Sequence, residues 1–287
     1  MIKNWLITGD THGQVAERLE YIKNSTNYNP EETAVIILGD AGFNFWLNKT
    51  DIKNKAKCDA YGYTIYCVRG NHEERPKNIP TYSLRMDKNV GNYVYAEEDY
   101  QNIRFFCDGE AYKIGDFRVL VIGGAYSVDK WYRLLRAGVE DKLNPDYVNP
   151  KKTGWFPEEQ LDETEMSNIE TTYCNQDFDF IFSHTCPLSW EPRDLFLSMI
   201  DQDSVDKSME IWMDHLKDTI NWGVWCFGHY HADRIERPHV EQYYYVIENI
   251  ENIWNRWQEY DKTKRLDEWW LNKSPTMRDI LAAKEGE

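Results

Sequence analysis

Several things are missing from this sequence, and each absence removes a class of protein. No apolar run is long enough to cross a membrane, and no stretch is of low complexity or repeats at a fixed period. The opening Met1-Ile2-Lys3-Asn4-Trp5-Leu6-Ile7 is too short for the apolar core of a signal peptide. None of the six cysteines, Cys58, Cys67, Cys107, Cys174, Cys186 and Cys226, stands in a Cys-x-x-Cys pair. In a chain too long to need disulfide staples they read as reduced core thiols of a cytoplasmic protein. Positive charge is also scarce: 33 Lys and Arg stand against 49 Asp and Glu, a formal net charge of -16. Such a field repels long polyanions unless a local patch or a bound metal reverses it, so tracking along DNA or RNA is disfavoured.

What is present is an ordinary globular composition. With 41% hydrophobic and 29% charged residues, the 287-residue chain can bury a real core. Its 10 prolines and 16 glycines are scattered, and no linker forces a split. The expectation is one domain over residues 1–287, with insertions near 134–157 and 188–203 that would cap a site, and a C-terminal helical extension after about 250.

Five short apolar runs each end abruptly in polar residues or glycine. Trp5-Leu6-Ile7 precedes Thr8-Gly9-Asp10-Thr11-His12-Gly13, and Ala34-Val35-Ile36-Ile37-Leu38 precedes Gly39-Asp40. Thr64-Ile65-Tyr66-Cys67-Val68 precedes Arg69-Gly70-Asn71-His72-Glu73. Phe178-Asp179-Phe180-Ile181-Phe182 precedes Ser183-His184, and Val224-Trp225-Cys226-Phe227 precedes Gly228-His229-Tyr230-His231. These read as buried strands, and ligands collect beyond the carboxyl ends of such strands. Five of the seven histidines fall in these turns; His215 and His239 stand outside. Helices are expected over 14–24 and 204–220, from apolar residues at helical spacing. A run of consecutive strands over 93–95, 103–106, 110–114 and 117–122 implies a second, partly antiparallel sheet.

Asp10, His12, Asp40, Asn71, His184, His229 and His231 together suit two metal ions. Oxygen and imidazole donors without thiolate fit Mn²⁺, Zn²⁺, Fe or Ni²⁺, with Mn²⁺ favoured here. Asp40, alone on its strand end, has two oxygens and can bridge. Two divalent cations outweigh the two carboxylates, so the site is positive inside an acidic protein and suits an anionic phosphate ester.

In order along the chain, Asp10-Thr11-His12, Gly39-Asp40, Gly70-Asn71-His72-Glu73, His184 and Gly228-His229-Tyr230-His231 resemble the motif set of the calcineurin-like metallophosphoesterases. The resemblance implies an α/β fold, a four-layer αββα sandwich of two mixed β-sheets flanked by helices. It also implies that Asp10, His12 and His231 hold one metal, that Asn71, His184 and His229 hold the other, and that Asp40 bridges. His72 becomes a catalytic residue that contacts phosphate or protonates the leaving alkoxide, while a metal-bridging hydroxide attacks phosphorus.

One motif departs from the pattern. The protein serine/threonine phosphatases of this family read Gly-Asp-x-x-Asp-Arg-Gly at the second motif, where this chain reads Gly39-Asp40-Ala41-Gly42-Phe43-Asn44-Phe45. The aspartate that would orient His72 and the arginine that would grip phosphate are replaced by Phe43 and Asn44. Arg75, Lys130 and Arg133 are the candidate replacements for the phosphate grip, while Arg69 is read as bracing a carboxylate. Phe43, Phe45 and Trp46 are read chiefly as packing, with the mouth of the cleft as their other place. The expected activity is hydrolysis of a phosphate mono- or diester on a small or nucleotide-like substrate. A nuclease, or a non-catalytic metal-binding scaffold for protein partners, is the alternative.

Overall fold

The apolar runs show no polar alternation because both faces of each strand are covered. The computed structural model describes residues 1–139 and 149–263. In it β1 (Asn4–Thr8) leads through α1 (Val15–Ser25) to β2 (Thr33–Ile37), and α2 (Lys49–Asp59) leads to β3 (Thr64–Cys67). These three strands pair in parallel. β4 (Tyr82–Asp87), β5 (Asn92–Glu97) and β6 (Ile103–Phe106) extend the same sheet, with β6 parallel to β3 and the other two steps antiparallel.

The second sheet begins with β7 (Glu110–Ile114) and β8 (Phe117–Ile122). Helices α3 (Lys130–Arg136), α4 (Pro150–Thr153) and α5 (Glu163–Tyr173) precede β9 (Asp177–Ser183), and α6 (Ser208–Thr219) precedes β10 (Asn221–Phe227). β8, β9 and β10 are parallel. β11 (Arg234–Arg237), β12 (Val240–Gln242), β13 (Glu248–Asn249) and α7 (Ile250–Thr263) follow. The sheets run β13-β1-β2-β3-β6-β5-β4 and β11-β12-β10-β9-β8-β7.

Alternate side chains of each strand divide the core into layers. Ile7, Ile36 and Tyr66 of the first sheet meet Val121, Phe182 and Cys226 of the second between the sheets. Leu6, Val35 and Ile65 point outward and pack with Leu19 and Ile22 of α1. On the far side Leu120, Ile181 and Trp225 pack with Ile169 of α5 and Met209, Met213 and Leu216 of α6. The result is the αββα sandwich of two mixed sheets. Ile250, Ile253 and Trp257 of α7 complete the inter-sheet layer, where Trp254 also packs. No helix among the described residues is long and apolar enough to cross a membrane.

Two local expectations change. The consecutive strands do not form one sheet, because the chain crosses between sheets after β6. Asp108-Gly109 is that crossing, with Gly109 at φ +74, while Gly115-Asp116 closes the true hairpin that pairs Ile114 with Phe117. The expected helix over 204–220 begins at Ser208, since residues 202–204 form a separate helical turn. Residues 140–148, inside the first expected insertion, and residues 264–287 of the expected C-terminal extension lie outside the described residues.

Candidate metal centre

Parallel strands in both sheets direct their carboxyl ends to one edge, and the seam between the sheets there gathers the polar turns. Asp10 follows β1, Asp40 follows β2, and Asn71 and His72 follow β3. His184 follows β9, and His229 and His231 follow β10. Backbone and side-chain bonds tie the two rims together: the Gly124 N–H donates to the Arg69 carbonyl at 2.7 Å, and the His229 N–H donates to Asp10 Oδ1 at 2.8 Å.

Among the described residues, seven non-glycine positions have left-handed backbone, and four of them are His12, Asp40, His229 and His231. Such conformations cost of order 1–3 kcal/mol each and persist where the surrounding structure enforces them. The motif glycines do part of that enforcing. A Cβ on Gly70 would stand 2.0 Å from Asp40 Oδ1, and one on Gly228 would stand 2.3 Å from Asp10 Oδ1. Only glycine lets the backbone pass so close to either carboxylate.

The side chains converge. His12 Nε2 lies 2.8 Å from His231 Nε2 and 3.8 Å from Asp10 Oδ2, while its Nδ1 is 3.9 Å from Asp40 Oδ2. His231 Nε2 is 3.3 Å from Asp10 Oδ2. His184 Nε2 faces Asn71 Oδ1 at 2.9 Å and Asp40 Oδ2 at 3.7 Å. The His184 and His229 rings are 5.0 Å apart. Two groups have donor atoms close enough to share an ion: Asp10 with His12 and His231, and Asp10 with Asp40 and His184.

The hydrogen bonding fits a cation. His184 Nδ1 lies 2.8 Å from the Leu38 carbonyl, which fixes the proton on that nitrogen and leaves Nε2 as a lone pair. Asn71 Nδ2 donates to Ser127 Oγ at 2.8 Å, which turns Oδ1 toward the same point. Asn71 Oδ1 and His184 Nε2 therefore point at one place, 2.9 Å apart, where a cation could be shared. Asp10 Oδ2 is likewise buried, facing the imidazoles of His231 and His12 at 3.3 and 3.8 Å. A divalent ion satisfies these atoms, and an apolar filling would not.

Burial alone would raise the Asp40 carboxyl, but the imidazoles of His72, His184 and His12 hold it well below the usual carboxylate range. Burial pushes His229 down to about 3, so its imidazole is neutral, as a ligand must be. Beneath the cluster the fully buried Glu73 accepts the Gly42 N–H at 2.8 Å and the Gly70 N–H at 3.3 Å. Burial and the nearby Asp40 push its carboxyl up to about 8.

The other predicted site residues divide. His72 borders the cavities on both sides of the cluster, with its backbone N–H donating to Asp40 Oδ1 at 2.9 Å. Its Nε2 is 3.3 Å from Asn71 Nδ2, and its buried Nδ1 has no partner among the described residues. Phe43, standing where an orienting aspartate would be, is fully buried in the core and offers nothing to that nitrogen.

Arg133 reaches the cavity beside His12, held by Asp129 Oδ2 at 2.6 Å and the Gly154 carbonyl at 3.0 Å. Phe45 and Trp46 line the same cavity. Arg75 lines neither cavity. Its guanidinium is spent on Glu165, at 2.5 and 3.0 Å, and on the carbonyls of Glu158 and Gln160. Lys130 also lines neither, and its ammonium sits 4.3 Å from the Trp155 ring centre. Arg69 is buried against Asp108 at 2.7 Å and the Glu159 carbonyl at 2.8 Å.

Sequence reasoning missed Ser127, which orients Asn71, and Asp233, which accepts the N–H groups of Tyr244, Tyr245 and Val246. Neither sits in a motif. Only the position of Ser127 just beyond β8, another strand ending at this rim, could have pointed to it.

None of the curated proteins matches the chain. The family model for calcineurin-like phosphoesterases matches residues 4–233, a span that opens with β1 and ends just past His231. The turns that carry Asp10, Asp40, Asn71, His184, His229 and His231 all lie inside that span, and this chain belongs to the calcineurin-like phosphoesterase family.

Proposed function

We propose that the protein is a two-metal hydrolase of phosphate mono- or diesters, acting on a small or nucleotide-like substrate in the cytoplasm. The observation that carries the reading is the convergence at the seam of Asn71 Oδ1 and His184 Nε2, 2.9 Å apart, with the buried Asp10 and Asp40 carboxylates and the His12 and His231 imidazoles. Asp10, His12 and His231 would hold one ion, Asn71, His184 and His229 the other, and Asp40 would bridge. The free cysteines agree with a reducing compartment.

When bound, two divalent ions, Mn²⁺ favoured, supply an activated water and neutralise the phosphate oxygens. The chain supplies the rest. Asp40 fixes the spacing, the Leu38 carbonyl and Ser127 aim His184 and Asn71, and Arg133 offers its guanidinium to a phosphate oxygen on the His12 side. His72, at the rim of both cavities, would contact the phosphate or pass a proton to the leaving oxygen. Because Nδ1 lacks the acceptor that orients the ring in the protein phosphatases, the reading favours small esters over phosphoproteins.

The test is purified protein loaded with Mn²⁺ and assayed against chromogenic mono- and diesters, a nucleotide panel and oligonucleotides. Turnover of a small ester supports the reading. Preference for oligonucleotides would make the protein a nuclease, and bound metal without hydrolysis would make it a scaffold.

A further inference from the structure

The ligand cluster is flanked by two cavities that share Asp40, His72 and His231, and they differ in character. The one beside His12 has a volume of about 440 Å³ and carries Arg133. The other, beside Asn71 and His229, has about 320 Å³, enough for a small organic group. Its outer wall comes from the segment before α6: Leu195, Phe196, Leu197, Ile200 and Val205.

Besides the shared Asp40, three carboxylates, Asp129, Glu191 and Glu210, line this second cavity, against one lysine, Lys207. Lys207 is already paired with Glu191 at 2.9 Å. With Lys207 spent on Glu191, this cavity offers no further cation to a second anionic group, whereas the other cavity carries Arg133.

Glu210 is the informative residue. It is 4% exposed; its Oε1 accepts the Thr185 hydroxyl at 2.9 Å, and its Oε2 is buried with no partner among the described residues. A buried acceptor without a donor is costly, and here it borders an apolar space open to the metal centre. Nearby, the rings of Phe196 and Tyr230 lie almost parallel, 20° apart with centres at 6.3 Å, and the Lys207 ammonium stands 4.9 Å from the centre of the Phe196 ring. Phe196 thus presents a flat, half-buried platform at the wall.

We propose that this cavity is a specificity subsite for the uncharged organic arm of the ester, a nucleoside whose base lies against Phe196 and donates an N–H to Glu210 Oε2. The proposal rests on reading the seam as a phosphoesterase centre, because the base is placed relative to a phosphate held there. A neutral donor supplies what Oε2 lacks, aromatic stacking tolerates any base, and a cavity whose one cation is already paired gives a further phosphate nothing to bind.

The experiment measures binding without turnover. Saturation-transfer NMR and calorimetry on the Mn²⁺-loaded protein would use thymidine, cytidine, adenosine and guanosine, with orthophosphate as the reference ligand for the metal cluster. At least one nucleoside should bind, and Glu210→Met or Phe196→Ala should each weaken it about tenfold or more. Orthophosphate affinity should not fall in Glu210→Met, since a negative charge has been removed. The proposal is overturned if no nucleoside binds the parent protein, if binding survives both substitutions, or if orthophosphate affinity falls in parallel. Absence of hydrolysis of every ester would sink the phosphoesterase reading, yet nucleoside binding would still decide the subsite.

Discussion

Asp10, Asp40, Asn71, His184, His229 and His231 stand on backbone fixed at strand ends in two sheets, several of them in left-handed conformation against a packed glycine. Arg133, Phe196 and Lys207, which wall the cavities on either side, come from a short helix and from irregular chain between strands. The candidate metal centre is thus tied to the part of the fold that cannot shift without breaking the sheets. The walls are free to differ, and with them the substrate.

If that division is right, substitutions at the rim should cost far more than substitutions in the walls. Asp40→Asn should weaken both metal sites together and lower turnover by at least about 10³-fold, because several kcal/mol of charge stabilisation go with the ions. Asn71→Ala should deplete mainly one site, and metal analysis beside steady-state kinetics separates the two. Next comes His72→Ala, which should keep both metals and lower turnover by about 10²–10⁴-fold, toward the low end because Nδ1 is not anchored. That loss should shrink for nitrophenyl esters, whose leaving group needs little protonation. Loss of metal, or equal slowing of good and poor leaving groups, would end the proton-donor role.

In the walls, Arg133→Ala should raise KM for a phosphomonoester about tenfold with kcat nearly unchanged, the cost of one charge-assisted contact. An unchanged KM would remove Arg133 from the substrate's path.

The smallest effect concerns stability alone. Burial pushes Glu159, beneath the same wall, from 4.5 up to about 7. Between these values the folded protein holds a proton that the unfolded chain has lost, so stability is full below about pH 4.5 and falls as the pH rises through 7. Glu159→Gln should remove that slope and gain on the parent by about 1–3 kcal/mol between pH 5 and pH 8 in denaturant titrations. A parallel pH dependence in both proteins would show that Glu159 is ionised throughout.

The same division governs what could be read from the sequence. The five polar turns that meet at the seam were legible because each follows a largely apolar run, and a strand buried on both faces announces where it ends. The crossing at Asp108-Gly109 was not legible: a glycine turn between two strand-like runs looks the same whether it closes a hairpin or hands the chain to another sheet, and only the parallel pairing of β6 with β3 decides it. Helix α5 was overlooked although Asp162 and Glu165 form a capping box at its start. Arg75 and Arg133 are equally basic in sequence, yet one meets Glu165, about 90 residues on, while the other pairs with Asp129 one helical turn back and still borders a cavity. Glu210 gave no signal at all, since a single glutamate in the first turn of an amphipathic helix usually faces water.

Metal content tests the account most directly. After loading with Mn²⁺ and removal of excess, elemental analysis of the full chain should find two ions per protein, both lost together in Asp40→Asn. At most one ion in the parent protein would contradict the two-metal seam.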